Sequence, residues 1–134
     1  MSYAKQMLGS YPLALVANAE EMEATIDALS DCLQACTADV DADLAEPNVI
    51  EMVKCIRLCL DCVAVCTATL GVTSRQTSYD ASVAKPLLEA CVATCKSCGD
   101  ECERHAPMHE HCRVCADACR RCERSCRKLL DTLH

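Results

Sequence analysis

One cysteine spacing is written four times along the chain and constrains its fold more than any other feature. Cys55, Cys59, Cys62 and Cys66 sit at offsets of 0, 4, 7 and 11. Cys91, Cys95, Cys98 and Cys102 repeat them, as do Cys115, Cys119, Cys122 and Cys126, with Cys112 three residues ahead. A fourth copy opens with Cys32 and Cys36, but Asp39 and Asp43 fill its last two slots. On a helix turning about 100° per residue these offsets fall in a stripe roughly 60° wide. They are the a and d positions of a heptad, which face the core of a bundle. A core filled with sulfur is itself the candidate working site.

Composition agrees with helices. Phe and Trp are absent, only three Gly occur in 134 residues, and Ala, Leu, Glu, Lys and Arg are plentiful. We expect an all-α fold: an antiparallel up-down-up-down four-helix bundle with a short N-terminal helix and a Cys-lined core. The length suits one domain over 1–134, with the short helix and a turn at 3–12 and the bundle at 18–133. Breakers place the long helices at about 18–45, 48–70, 80–104 and 108–133. Glu46-Pro47 closes the first, and Asn48 begins the second. A polar connection runs over 71–78, and Asp80 caps the third helix, which Pro86 is expected to kink. Pro107 suits the first turn of the fourth. Short connections make neighbours antiparallel, so Asp39, Asp43, Met52, Cys55, Cys102 and Cys112 gather at one end. Cys32, Cys66, Cys91 and Cys126 lie towards the other end, where Leu29 and Leu88 continue the stripe as apolar plugs.

Ionising all 15 thiols would add fifteen negative charges to a formal charge of −7, which a buried core cannot hold unpaired. The core is therefore either protonated or neutralised by metal. The acidic balance argues against nucleic acid, and no stretch reads as a secretory signal or a membrane span. A reducing cytoplasm, where thiols persist, is the expected setting.

Four chemistries compete for such a core. A disulfide framework suits a short Cys-rich secreted chain, but the count is odd. Helical neighbours at i, i+4 also have Cβ atoms about 5–6 Å apart, against about 3.8 Å in a disulfide. Zinc accepts Cys-x-x-Cys pairs, yet wants dedicated tetrahedra and could not easily use every thiol. An iron–sulfur cluster needs four convergent Cys, and the Cys-Pro of the common bacterial motif is missing. Cu(I) fits best: it is soft, prefers thiolate and thioether, and is content with two or three sulfurs. If each thiolate bridges two ions, capacity reaches the order of 15 Cu(I) per chain, and the charges cancel.

The chain resembles the bacterial copper storage proteins, a family of Cys-lined four-helix bundles that hold many Cu(I) ions. The resemblance spans about 30–130. Its carriers are Cys-x-x-x-Cys-x-x-Cys-x-x-x-Cys on three helices and the corner running from His105 through Pro107, Met108, His109 and His111 to Cys112. It implies Cu(I) as cargo, copper entering at the His-rich end, and a cytosolic homotetramer, with a copper chaperone or copper enzyme as recipient. The metal ligands expected are Cys32, Cys36, Cys55, Cys59, Cys62, Cys66, Cys91, Cys95, Cys98, Cys102, Cys112, Cys115, Cys119, Cys122 and Cys126, with His105, His109 and His111 at the mouth. Met52 and Met108 are thioethers at the same end, and Met at helical spacing also serves packing. His134 is assigned no role.

Asp39 and Asp43 depart from the repeat, since hard carboxylates do not favour Cu(I). They would lower capacity or build a mixed site for another metal; the simpler expectation is that the first long helix drifts outward and leaves them solvated or paired with Arg. The basic residues Arg113, Arg120, Arg121, Arg124, Arg127 and Lys128 are expected on a solvated face that pairs with the first two long helices or with another subunit. No catalytic constellation is evident: no Ser with a His base, no phosphate loop, no carboxylate pair in an apolar setting. The expectation is a binding protein rather than an enzyme.

Overall fold

The structure is a computed structural model that describes residues 2–133; His134 lies outside the described residues. It contains α1 (Tyr3–Gly9), α2 (Ala19–Leu44), a 3-10 turn (Val49–Met52), α3 (Val53–Thr73), α4 (Ala81–His105) and α5 (Glu110–Thr132). The long helices pack in a closed ring, α2 against α3, α3 against α4, α4 against α5 and α5 against α2, with α1 on the outside of α2. This is the expected antiparallel bundle, and no strand occurs among the described residues.

Local chemistry sets most boundaries where the sequence places them. The Asn18 side chain accepts the Glu21 N–H at 3.1 Å, and Glu20 and Glu21 occupy the first turn of α2. Asp80 caps α4 by accepting the Ser82 N–H at 2.9 Å. Three boundaries differ from expectation. Asn48 spends its amide on Glu51 Oε2 at 2.9 Å, so the chain enters through a 3-10 turn and regular α3 begins at Val53. At its other end α3 runs through Gly71 to Thr73, because a glycine weakens a helix by about 1 kcal/mol without stopping it. At the last corner the Met108 and His109 N–H groups both bond the His105 carbonyl at 3.0 Å, which continues the turn of α4. Pro107 and Met108 therefore belong to the corner, and α5 begins at Glu110.

Each long helix buries its cysteine face, and all fifteen cysteines are buried and free. Met22, Leu29, Leu88 and Leu129 close the far end of the core. The expectation that no stretch reads as a membrane span is corrected here. The stretch Val49–Thr73 is long and apolar enough to cross a membrane by length and composition. Thiols count as apolar by that measure, and α3 also exposes Val53 and Leu60 outward. Its sulfur face packs inside the bundle. The basic face of α5 also differs from expectation. Arg121 does reach Asp31 on α2, but Arg120 binds Asp100 at 2.6 Å and Glu103 at 2.8 Å on α4. Arg113 and Arg127 pair with acids of α5 itself.

Candidate metal centre

The repeat puts one thiol per helical turn on the inner face of α3, α4 and α5, and antiparallel packing brings those turns level. Sulfurs on one helix then meet sulfurs on two others. Cys32 Sγ lies 3.9 Å from Cys36 and 3.7 Å from Cys62, and Cys36 Sγ lies 3.7 Å from Cys119. Lower in the bundle Cys62 is 3.8 Å from Cys66 and from Cys95, and Cys126 is 3.9 Å from Cys91. Nearer the mouth Cys59 is 3.5 Å from Cys98, and Cys55 is 3.8 Å from Cys102. A disulfide needs about 2.05 Å between sulfurs. Two sulfurs about 2.3 Å from one tetrahedral ion stand roughly 3.8 Å apart. The core therefore already has metal-ligand spacing.

The thiols form tetrads that share corners. Cys32, Cys66, Cys95 and Cys122 make one, and Cys32, Cys36, Cys62 and Cys119 the next. Cys36, Cys98, Cys115 and Cys119 follow, then Cys59, Cys98, Cys102 and Cys115. Shared corners suit ions that accept bridging thiolates and few ligands, which is the preference of Cu(I).

At the mouth the structure overturns the simpler reading of the two aspartates. Asp39 and Asp43 are fully buried. Asp39 Oδ2 accepts from the thiols of Cys55, Cys59 and Cys102 at 3.6–3.7 Å, so it completes a tetrad in the slot where the repeat calls for Cys. Its Oδ1 accepts from His111 Nδ1 at 2.6 Å. Asp43 Oδ1 accepts from the Cys112 thiol at 3.7 Å and lies 3.5 Å from His111 Nδ1. A carboxylate pair in a closed setting therefore exists, contrary to expectation. The a/d stripe of α2 simply continues inward to its last turn.

Burial pushes the Asp39 carboxyl up to about 6. It pushes Asp43 further, to about 8, with the Asp39 charge next in effect. Burial lifts the Cys112 thiol well above its usual range, and the neighbouring Asp39, Cys55 and Asp43 charges add to this. For His111 burial opposes the charged ring, but bonds to Glu46 and Asp39 prevail and raise its pKa.

The expected histidines do gather here. His111 Nε2 is 2.9 Å from Glu46 Oε2, His109 Nδ1 is 2.9 Å from the same oxygen, and the two rings stack with centroids 5.3 Å apart. His105 Nε2 is 3.0 Å from Glu101 Oε2. Met52 is fully buried at this end, whereas Met108 is 65% exposed. Two acids here escaped the sequence reading. Glu101, buried among Lys54, Arg104 and His105, is signalled by its i, i+3 and i, i+4 spacing to Arg104 and His105. Glu46 had no such signal, because its histidines come from the far corner of the ring.

A family model for copper storage proteins, Csp, matches residues 18–131. The chain belongs to the copper storage protein family. Among solved structures it is similar to the copper storage protein Ccsp from Streptomyces lividans loaded with 10 copper equivalents. That similarity has a TM-score of 0.95 and 52% identity, covering 97% of this chain and 99% of that one. A second structure, the cytosolic copper storage protein from Streptomyces lividans with five coppers, matches at a TM-score of 0.84 and 56% identity, over 86% and 96% of the two chains. The uncharacterized cysteine-rich protein YhjQ of Bacillus subtilis (strain 168) is 36% identical over 107 residues, 80% of this chain and 94% of that one. The copper storage fold and the sulfur tetrads thus occur together here.

Proposed function

We propose that this member of the copper storage family sequesters many Cu(I) ions per chain in the cytoplasm. The ligands are the fifteen core cysteines, with His105, His109 and His111 handling ions at the mouth. The observation that carries this reading is the run of corner-sharing thiol tetrads at metal-ligand spacing. Monovalent copper neutralises bridging thiolates one for one, which removes the penalty of burying their charge. The histidines have ring atoms to offer. With Nε2–H donated to Glu101, His105 keeps Nδ1 free, and His109 Nε2 is buried without a partner. A neighbouring carboxylate that fixes the tautomer in this way is the usual support of a metal-bound imidazole.

The reading extends to assembly. On the outer face Ile50, Val53 and Leu60 are exposed at heptad-like intervals, an apolar stripe suited to a second copy of the chain. A homotetramer of bundles built on that stripe accounts for its exposure. Copper held in this way is available to a chaperone or a copper enzyme. Storage, rather than turnover, is the activity we assign.

An anaerobic titration of reduced, metal-free protein with Cu(I) against a chromophoric Cu(I) chelator tests the core. A breakpoint above about ten ions per chain, withheld from the chelator, is expected. A breakpoint at one or two ions overturns the reading and leaves the thiol stripe to iron–sulfur or zinc chemistry. Sedimentation of the Leu60→Asp variant tests assembly, with loss of the tetramer expected.

A further inference from the structure

The mouth holds a donor set unlike that of the core. The polar atoms that meet Cys112 Sγ are Asp43 Oδ1 at 3.7 Å and His111 Nδ1 at 3.6 Å, and those two atoms are 3.5 Å apart. Sulfur, nitrogen and oxygen thus form a nearly equilateral triangle. Ligands at about 2.3 Å (S) and about 2.0–2.2 Å (N, O) from a tetrahedral Zn2+ stand roughly 3.4–3.6 Å apart. The triangle is therefore already one face of such a site. Asp39 Oδ1, 2.6 Å from His111 Nδ1, stands beside that face. A second observation points to a ligand: Asp43 is fully buried, and its Oδ2 has no hydrogen-bond partner. A buried carboxylate oxygen without a donor is costly unless a cation completes it.

We propose that Cys112, Asp43 and His111 also form a site for a borderline divalent cation of the Zn2+ class, with Asp39 as fourth ligand; Cys112 and His111 serve Cu(I) or the dication in turn, and the other fourteen thiols serve Cu(I) alone. The ion takes the place of the proton that His111 Nδ1 now gives to Asp39, and it displaces the protons of the Cys112 thiol and the Asp43 carboxyl; all three leave to solvent. Asp39 then moves from accepting that proton to binding the metal. Glu46 keeps its bond to His111 Nε2–H at 2.9 Å and so holds Nδ1 towards the ion.

Charge separates the two kinds of site. A dication on a core tetrad of four thiolates leaves two uncompensated negative charges deep in the bundle, whereas bridged monovalent copper leaves none. At the mouth the Cys112 thiolate and the Asp43 and Asp39 carboxylates leave a dication with one excess negative charge, against two on a core tetrad. His111, with 28% of its side chain exposed, gives that end a route to water. Oxygen donors also disfavour Cu(I) and suit Zn2+. The bundle is thus sorted by valence, monovalent ions inside and one divalent ion across the ends of α2 and α5.

Anaerobic addition of one equivalent of Co2+, the spectroscopic stand-in for Zn2+, to reduced metal-free protein tests this. Tetrahedral ligand-field bands with the charge-transfer intensity of a single thiolate are expected. Cys112→Ser abolishes the charge-transfer band, and Asp43→Asn weakens Co2+ binding at least tenfold. Glu46→Gln retains the spectrum but weakens binding by about tenfold or more. Charge-transfer intensity of three or four thiolates, unchanged in Asp43→Asn and Cys112→Ser, overturns the proposal, because it places the dication in the core. Circular dichroism confirms that each variant is folded. The Cu(I) breakpoint of Asp43→Asn, measured separately, reports on the thiol core alone, so the storage reading and the divalent site fail independently.

Discussion

The two ends of the bundle are built on the same heptad slots and filled with opposite chemistry. At the closed end Leu29, Leu88 and Leu129 meet across the axis, all nearly inaccessible. The threonines beside them are paired: Thr25 Oγ1 donates to the Glu21 carbonyl at 2.8 Å, and Thr69 Oγ1 donates to the Val65 carbonyl at 2.7 Å. A surface strap seals the same end, where the Val16 N–H donates to Gln76 Oε1 at 3.2 Å and Tyr11 bonds Thr77 at 2.9 Å. At the mouth the equivalent positions hold Asp39, Asp43, Met52 and Cys112, equally buried. There Asp43 Oδ2 and His109 Nε2 are left without partners. One end is filled by leucines; the other is filled by ionisable groups. The thiol column between them supplies little branched hydrocarbon, so folding stability rests on the closed end and metal exchange on the mouth.

The strongest way to break this division is to weaken the apolar end. Leu29→Ala and Leu129→Ala should each cost about 2–5 kcal/mol, read by chemical denaturation of the reduced protein. The Cu(I) capacity of the folded protein should not change. An equal loss of stability from Asp43→Asn at the mouth would contradict the comparison, because the exchange keeps the side-chain volume and opens no cavity.

The next effect is a pH dependence confined to the mouth. Asp43, raised to about 8, and Asp39, raised to about 6, both hold protons in the folded protein that the unfolded chain releases near pH 4. Their contribution to stability is fully present below the unfolded value and is lost as pH rises through 6 and then 8. His111, also raised, acts in the same direction above its unfolded value, because its charged ring is held by Glu46 and Asp39. The metal-free protein should therefore be less stable at pH 8 than at pH 5, by on the order of 3 kcal/mol. Denaturation midpoints at the two pH values measure this, and Asp43→Asn should flatten the slope. Leu129→Ala should lower both midpoints and keep it.

A smaller effect lies outside both ends. Arg120 joins α5 to α4 through Asp100 and Glu103 and also donates to the Lys96 carbonyl at 3.4 Å. Its side chain is only a quarter exposed, and a Cβ at Gly99 would stand 3.0 Å from its guanidinium, so the helices pass closely here. Arg120→Ala should cost about 1 kcal/mol in the same denaturation assay, with less loss at high salt.

How much of this was legible beforehand differs between the ends for a physical reason. The closed end follows from pattern alone: Leu29 and Leu88 extend the cysteine stripe by one turn, and apolar residues in a seam have one place to go. The thiol column follows in the same way, down to which cysteines lie near which end. The mouth does not. Asp39 and Asp43 sit in the same seam, but the usual cost of burying a carboxylate argued for turning them outward. What holds them inside is His111, which approaches from a corner some seventy residues away and whose ring is clamped by Glu46. Burial of a polar group is decided by its partner, and that partner is visible only once the ring of helices is closed. The corner itself was misjudged by two residues for a related reason: Pro107 suits a helix start, yet the His105 carbonyl had already drawn the Met108 and His109 N–H groups into the turn of α4.

The smallest effect asks whether the mouth acid is a deliberate departure from the thiol column or merely one more position in it. Asp39 Oδ2 stands 3.6–3.7 Å from the sulfurs of Cys55, Cys59 and Cys102, the same separation that those sulfurs keep from other thiols. Cysteine is one atom shorter than aspartate, but at this seam position its sulfur would point towards the same three thiols. Asp39→Cys should therefore raise the Cu(I) breakpoint by about one ion per chain, and Asp39→Asn should leave it unchanged. If Asp39→Cys adds no ion, the limit at the mouth is set by charge and access rather than by the number of thiols. Asp39 would then belong with His111 and Asp43 in a unit of its own, and the boundary between storage core and mouth would fall one helical turn deeper, at the level of Cys59 and Cys102.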